Sequence, residues 1–278
     1  MKKAIQIAYN ESFEKKCRFA NIAGFDGIAV NFTEFLSESE YEWEKATENI
    51  GRILEENNLL CLQSHPYYYD LRISSEKMEE KYEFCIKQAI IASGKLGASW
   101  CAMHPRSSVS TGFRKTASFE DNKKAFSSYL DVAHKYNTGI AIENLPVFHG
   151  LVPVMPFYSS DFDDLAILSD SFNDDKVGIC WDTGHANLMC FKQADAIRFL
   201  GERIKCTHIH NNFGDEDHHN TPDTGSIPWG DVMKAFRDIN YTGCLTLETH
   251  CRYKNSDALL ENFARYNYEC LEFLEELY

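Results

Sequence analysis

The sequence of 278 residues lacks any apolar run approaching the roughly 18–20 residues that a membrane-spanning helix needs. Its basic start has only a short apolar stretch and no small-residue cleavage site, so we expect no signal peptide. Basic residues are also scarce, with 28 Lys and Arg against 42 Asp and Glu. The resulting net charge of −14 argues against nucleic acid and against anionic membranes as partners.

Closely spaced cysteine pairs are absent as well. The ten cysteines are scattered, none forms a Cys-x-x-Cys motif, and several stand inside apolar segments, where a free cysteine behaves as a small hydrophobic residue. This pattern favours free thiols in a reducing cytoplasm over a disulfide framework. No linker, low-complexity tract or change of composition divides the chain, so we expect residues 1–278 to form a single domain.

Short apolar segments rich in β-branched residues recur along the chain and alternate with segments of helical periodicity. Eight of them read as strands, at residues 4–9, 27–32, 59–65, 99–104, 139–144, 177–182, 205–211 and 244–249. Strands separated by helices are expected to be parallel. Eight such strands close a TIM barrel at about 250 residues, while an open doubly wound sheet is the alternative.

The residues at the strand ends decide between these two folds. The third to eighth predicted strands each end in, or carry near the end, a metal-binding type of side chain. These residues are His65, His104, Glu143, Asp182, His208 with His210, and Glu248. An open sheet would spread them along a line, whereas a barrel brings them to one mouth, where barrel active sites lie. We therefore predict an α/β fold of the (β/α)8 TIM-barrel type.

Carboxylates and imidazoles that converge on one mouth repel or compete with one another unless a cation binds them. We predict four metal ligands: Glu143, Asp182, His208 and Glu248. Further candidates, as ligands or as substrate contacts, are His65, His104, His185, Asp217 and His219. His210 points the same way as His208 because strand side chains alternate. One of the two should be the ligand, and we favour His208.

Several segments resemble signature segments of the xylose isomerase-like TIM-barrel superfamily, which holds sugar isomerases, 3-epimerases and endonuclease IV. They are IENLP, WDTGHAN, HIHNN with the following loop, and LTLET, on the predicted strands five to eight. The resemblance covers the whole chain. In the ketose 3-epimerase branch the corresponding metal ligands would be Glu143, Asp182, Glu248 and one histidine of the seventh strand.

The resemblance also extends to endonuclease IV. Its trinuclear zinc site would correspond to residues that all have the matching type here, namely His65, His104, Glu143, Asp182, His185, His208, Asp217, His219 and Glu248. The segment after Glu143, NLPVFHGLVPVMPFY, departs from the Gly- and Gln-rich segment of that enzyme. It is apolar and aromatic, which suits the covering of a small ligand. The loop before His219 also lacks basic residues that could bind phosphates.

The resemblance implies a metal-dependent isomerase or epimerase that acts on a sugar, sugar phosphate or polyol-type substrate through an enediolate, with Glu143 and Glu248 moving the proton. The expected cofactor is a divalent ion, Zn²⁺ or Mn²⁺, with Mg²⁺ or Co²⁺ also compatible. The alternative is a zinc-dependent phosphodiesterase, an abasic-site endonuclease of the endonuclease IV type. The expected partner is a small sugar-like molecule, and a homo-oligomer is compatible with the sequence. Expected substrate contacts are His185, His219, His210, Trp181 and Arg252.

Overall fold

A computed structural model describes residues 1–68, 76–107, 115–148, 155–189, 191–251 and 256–278. Within these ranges eight parallel strands form one sheet in the order β10-β1-β2-β3-β4-β5-β8-β9. They are β1 (Lys3–Ala8), β2 (Gly27–Asn31), β3 (Leu60–His65), β4 (Trp100–Met103), β5 (Gly139–Glu143), β8 (Val177–Asp182), β9 (Ile204–His208) and β10 (Leu245–Leu247).

The two edge strands of this sheet meet and nearly close it into a barrel. Ile209, directly after β9, donates from its backbone nitrogen to Thr246 O at 2.7 Å, and Glu248 donates back to Ile209 O at 3.1 Å. These bonds remove the free edges that an open sheet would leave. The predicted TIM barrel is confirmed, and the open doubly wound sheet is excluded.

Helices surround the strands. They are α1 (Phe13–Ala23), α2 (Glu40–Glu56), α3 (Glu76–Lys95), α4 (Lys115–Tyr136), α5 (Phe162–Asp170), α6 (Thr183–Leu188), α7 (Gln193–Leu200), α8 (Trp229–Asp238) and α9 (Asp257–Leu277). A two-stranded antiparallel hairpin, β6 (Val147–Phe148) with β7 (Met155–Pro156), follows β5. In the described part of the chain no helix is both long and apolar enough to cross a membrane.

Helix α2 illustrates how the sequence sets these elements. Ser39 caps it, because its side chain accepts a hydrogen bond from the backbone nitrogen of Glu42. Trp43, Ile50 and Leu54 recur at helical spacing and are buried against the barrel. The charged residues between them are exposed, which fixes the orientation of the helix on the strands.

Strand alternation divides the core into two parts. Side chains that point outward pack against the helices and form the main hydrophobic core. Side chains that point inward form a layer of small residues below the barrel mouth, made of Ala102, Ala141, Cys180 and Cys206. Two residues further along the same strands come His104, Glu143, Asp182 and His208, respectively. The layer of small residues therefore lies directly below the proposed ligands. The nine cysteines of the described residues are all free thiols.

We expect Ala141→Leu to destabilise the barrel. Ala141 is fully buried in the inward-facing layer, and overpacking a close-packed interior costs about 1–3 kcal/mol. Urea unfolding followed by circular dichroism should show this loss of free energy of unfolding. The matched control is Ala258→Leu, at an exposed position of α9, where we expect little change. Equal stability of the two variants would contradict the described inner layer.

Candidate active site

A cavity of about 600 Å³ opens at the carboxyl-terminal mouth of the barrel. One side of it is lined by titratable residues, namely His65, His104, His185, Asp217, His219 and Glu248. The other side carries Gln6 of β1, Asn31 of β2 and Thr33. The mouth of the barrel is where the fold places active sites, and this cavity is large enough for a small organic ligand.

Four residues from adjacent strands meet at the inner end of the site. One ligand atom each from Glu143, Asp182, His208 and Glu248 lies within 4.8 Å of all the others. His208 Nδ1 is 2.9 Å from Glu248 Oε2, 3.2 Å from Glu143 Oε2 and 3.8 Å from Asp182 Oδ2. The structure therefore brings together the four residues that the sequence predicts as ligands, which we call the four-residue group.

The atoms of the four-residue group fit a divalent cation. Within the described residues, both carboxylate oxygens of Glu143 and the Nδ1 of His208 are buried and have no hydrogen-bond partner. They lie close together, but none of their contacts has hydrogen-bond geometry. Buried polar atoms of native proteins are nearly always paired, and three carboxylates with one imidazole form a donor set that Zn²⁺ or Mn²⁺ accepts.

A second group of ligand atoms lies nearer to the solvent. Asp217 Oδ2 is 3.3 Å from His185 Nε2 and 3.1 Å from His219 Nε2. His185 donates from Nδ1 to Asn144 O at 2.9 Å, and His219 donates from Nδ1 to the backbone oxygen of Glu248 at 2.7 Å. Because carbonyl oxygens only accept, the Nδ1 atoms carry the protons, and both Nε2 atoms face Asp217 as potential ligands.

A third group contains His65, His104 and Glu143. His65 Nε2 and His104 Nε2 lie 3.5 Å and 3.4 Å from Glu143 Oε2. His65 Nδ1 donates to Pro66 O at 2.8 Å, so its Nε2 is the free ring nitrogen. The ring of Tyr68 packs on that of His104, with 4.2 Å between centroids. Glu143 therefore belongs to two of the three groups.

His210 lies next to Asp182 of the four-residue group. His208 and His210 are both fully buried, and neither lines the cavity. The Nε2 of His210 lies 3.0 Å from the Asp182 carboxylate, and its ring stacks on that of His219 at 4.2 Å. A methyl group on Gly184 would lie 1.9 Å from the His210 ring, so only glycine fits there. His210 is placed to orient Asp182, and its contact with the substrate stays a prediction.

Trp181 does not line the cavity, so its position does not favour the predicted contact with the substrate. Its side chain is fully buried in the main core outside the barrel, near Phe191 at 6.2 Å between centroids. Adjacent residues of a strand point to opposite faces, so an inward Asp182 forces Trp181 outward. Arg252 lies outside the described residues.

Sequence analysis missed the buried amide of Gln63 on β3. One end of its amide lies 2.7 Å from His208 Nε2, and the other end lies 3.0 Å from the hydroxyl of Thr246. Gln63 thereby holds the His208 ring with Nδ1 toward the carboxylates. The signal was a polar residue inside an apolar strand, two places before His65 on the same face.

Opposite charges shift the pKa values of the four-residue group. Burial alone would lower the pKa of His208, but the carboxylates of Glu248 and Glu143 raise it well above its ordinary value. Burial alone would raise the pKa values of Glu143 and Glu248, yet His208 and the neighbouring His104 and His219 lower both well below their ordinary range. Both glutamates are therefore ionised at neutral pH.

The second group shows the same coupling. Burial opposes the charged form of His219, but the hydrogen bond to Asp217 and the charges of Glu248 and Asp182 raise its pKa to about 9. The pKa of His185 is also raised well above its ordinary value, against burial, by Asp182 and Asp217. The pKa of Asp217 is lowered, against burial, by His185 and His219. Without a cation, protons on the imidazoles balance the carboxylates.

We expect the metal-free protein to lose stability as pH rises. A histidine with a raised pKa contributes stability that is complete below the unfolded value, near 6.5, and is lost as pH rises through the folded value, about 9 for His219. With a chelator present, the loss of unfolding free energy between these two pH values should be about 1–3 kcal/mol smaller in His219→Gln than in the parent protein. Thermal and urea denaturation at several pH values measure this loss.

The control for this experiment is His134→Gln, a half-exposed position on α4 that lies outside the cavity. It should leave the slope of stability against pH unchanged. If His219→Gln and the parent protein have the same slope, the pairing of His219 with Asp217 does not contribute to folding.

Comparisons with known proteins agree with this fold. The chain is 25% identical over 189 residues to an uncharacterised protein of Methanocaldococcus jannaschii, which is 66% of this chain and 62% of that one. It is 37% identical over 79 residues to a D-psicose 3-epimerase of Enterocloster bolteae, 28% of this chain and 25% of the relative. The chain thus spans less than two thirds of the length of these curated relatives.

Two solved structures share the fold over almost the full chain. A D-psicose 3-epimerase crystallised in the presence of D-fructose superposes with a TM-score of 0.75 at 18% identity, covering 99% of both chains. The protein IOLI with a bound zinc atom gives a TM-score of 0.73 at 15% identity, covering 99% of this chain and 96% of that one. The sequence model of one family, described as the xylose isomerase-like TIM barrel, matches residues 17–270. The chain therefore belongs to the xylose isomerase-like TIM barrel family.

Proposed function

We propose that the protein is a divalent-metal-dependent epimerase or isomerase that acts on a sugar, sugar phosphate or polyol-type substrate through an enediolate. The observation that carries this proposal is the pair of ionised glutamates, Glu143 and Glu248, whose carboxylate oxygens lie 3.2 and 2.9 Å from His208 Nδ1. The similar proteins that are D-psicose 3-epimerases support the same class of reaction. A cytoplasmic location and a homo-oligomer remain predictions.

The proposed cofactor site is the four-residue group. Glu143, Asp182, His208 and Glu248 would hold the ion, which when bound supplies a Lewis acid for the oxygens next to the reacting carbon. For Nδ1 of His208 to bind the ion, its Nε2 would carry the proton and donate to the amide oxygen of Gln63, whose NH₂ group would then face the hydroxyl of Thr246. The zinc atom in the similar protein IOLI supports a metal role for this barrel mouth.

The glutamates would move the proton. In an epimerisation the C–H electron pair enters the carbon–carbon bond of the enediolate while the proton passes to a carboxylate oxygen, and a proton is then returned to that carbon. Glu248 lines the cavity with 13% of its side chain exposed, whereas Glu143 is fully buried. We therefore assign the contact with the substrate carbon first to Glu248, with Glu143 returning the proton from the opposite side.

The remaining titratable residues of the cavity have two roles compatible with their positions. His185 and His219 would bind substrate oxygens, or with Asp217 hold a second ion. His65 and His104 would, with Glu143, offer another ion position. These assignments rest on Nε2 atoms that face a carboxylate while Nδ1 is tied to a backbone carbonyl in His65, His185 and His219.

We expect Glu248→Gln to lower turnover of a responsive ketose about 10²–10⁴-fold, because the amide keeps an oxygen for the ion but cannot accept the proton. Screening would begin with D-psicose, D-fructose and D-tagatose and extend to phosphorylated ketoses. In heavy water the parent enzyme should leave deuterium at the reacting carbon, as NMR of the product would show. Metal analysis should find the ion still bound in the variant.

Glu143→Gln should behave similarly, and Glu216→Gln, on an exposed loop side chain, should match the parent. Near-parental turnover in both Glu143→Gln and Glu248→Gln would leave the proposed reaction without a base. A shielded carboxylate that returns the same proton would leave no deuterium at the reacting carbon of the product. The turnover of the variants is therefore the decisive measurement.

A second candidate is a zinc-dependent phosphodiesterase of the endonuclease IV type. The observation that favours it is that the three ligand groups lie next to one another at the barrel mouth, linked through Glu143, Asp182 and Glu248. Such an enzyme would take a phosphate group at the mouth and attack phosphorus with hydroxide.

Duplex DNA that contains an abasic site separates the two candidates. For a sugar enzyme we expect no incision and weak binding, in keeping with the acidic net charge. A repair enzyme would cut the duplex at catalytic protein concentration, with binding that weakens steeply as salt rises. Asp217→Asn serves as the control, because incision by the parent that this variant loses would come from the site itself and would favour the second candidate.

A further inference from the structure

A series of hydrogen-bonded groups that includes two side-chain amides lines the cavity on the side of the barrel that carries none of the proposed metal ligands. Thr33 donates from its backbone nitrogen to Asn31 Oδ1 at 2.8 Å, and Asn31 Nδ2 donates to Gln6 Oε1, also at 2.8 Å. Gln6, Asn31 and Thr33 all line the cavity. Gln6 and Asn31 belong to the neighbouring parallel strands β1 and β2.

The hydrogen-bond partners in this series fix the orientation of both side-chain amides. The oxygen and the nitrogen of an amide have nearly the same shape, so their hydrogen-bond partners decide which is which. A backbone N–H can only donate, so the atom of Asn31 that meets Thr33 must be oxygen. The other end of Asn31 is then its NH₂ group, which requires the oxygen of Gln6.

The amide nitrogen of Gln6 is therefore directed away from Asn31. It is buried and has no hydrogen-bond partner among the described residues. A buried donor without a partner costs free energy, and native structures nearly always supply one. Because Gln6 lines the cavity, a ligand bound there is one source of a partner for this nitrogen.

The position of Gln6 relates it to the proposed reaction. Strands β1 and β10 pair in parallel with Ile5 opposite Leu247, so the next residues along are Gln6 and Glu248. Gln6 and Glu248, the residue that we assign to proton transfer, thus occupy neighbouring positions at the barrel mouth, and both line the cavity.

We infer that the side-chain amide of Gln6 donates a hydrogen bond to an acceptor oxygen, a hydroxyl or carbonyl, of the sugar-like substrate, an inference that rests on the proposed function. Asn31 and Thr33 are positioning residues that hold this donor. The site would therefore select substrates that carry an oxygen at this point over analogues in which hydrogen replaces it, because the donor would then stay unpaired.

Two variants test the inference. Gln6→Met removes the donor at similar side-chain volume. Asn31→Asp keeps Gln6 but turns its side-chain amide around. One carboxylate oxygen of the aspartate still accepts from Thr33, and the other requires the NH₂ group of Gln6. For the responsive ketose, with D-psicose as the first probe, each variant should raise KM and the calorimetric Kd about tenfold. The kcat and the metal content should stay near the parental values.

A series of monodeoxy analogues of the ketose identifies the oxygen concerned. Removing that oxygen should weaken binding to the parent, while Gln6→Met should bind this analogue and the full sugar equally, since the two losses are not additive for interacting groups. The control variant is Asn240→Asp, an exposed asparagine at the end of α8, which should bind like the parent.

The outcomes separate the inference from the function beneath it. If the parent neither binds nor converts any ketose, the proposed function fails and the inference fails with it. If the parent binds a ketose and Gln6→Met binds it equally well, only the inference is overturned. A loss of kcat at unchanged KM also overturns it, because Gln6 would then act on Glu248 rather than on the substrate.

Discussion

Repulsion among carboxylates at the barrel mouth is the constraint on which the rest of this structure depends. Glu143 and Asp182 are fully buried, and Glu248 is nearly so, within 4.8 Å of one another. Isolated buried charges are costly unless they are paired. The surrounding imidazoles supply positive charge when they are protonated, and a divalent cation would supply it in their place. The shifted pKa values and the unpaired atoms of Glu143 are two consequences of this one requirement.

The barrel meets this requirement with supporting residues that carry no charge. Small side chains such as Ala141 and Cys180 fill the layer below the carboxylates and pack closely inside the barrel, which holds the carboxylates in position. Gly184 leaves room for the His210 ring, which in turn orients Asp182. Gln63 holds His208 from within the barrel. A few neutral residues thereby determine which atoms of the charged ones face the cavity.

Much of this arrangement could be predicted from sequence because it repeats at strand ends. Eight apolar segments, six of which end in ligand-type residues such as His104 and Glu143, predict a barrel and its mouth. The outward position of Trp181 was also predictable, since alternation from Asp182 requires it. The place of His210 was not, because two inward histidines on one strand differ only in their height along the barrel. The contact of Gln63 with Thr246, 183 residues apart in sequence, likewise needs the closed barrel.

Substitutions on the two sides of the cavity are therefore subject to different physical limits. On the side of β5, β8, β9 and β10, each ligand atom is tied to others through charge, so replacing one residue leaves a buried carboxylate or imidazole uncompensated. On the side of β1 and β2, Gln6, Asn31 and Thr33 are neutral, so exchanging them leaves the charge balance unchanged, although the charged Lys16 and Glu34 also line the cavity. The proposed proton transfer belongs to the first side. Differences in substrate among proteins with this fold can arise on the second, where Gln6 presents its donor at the edge of the reacting group without being part of it.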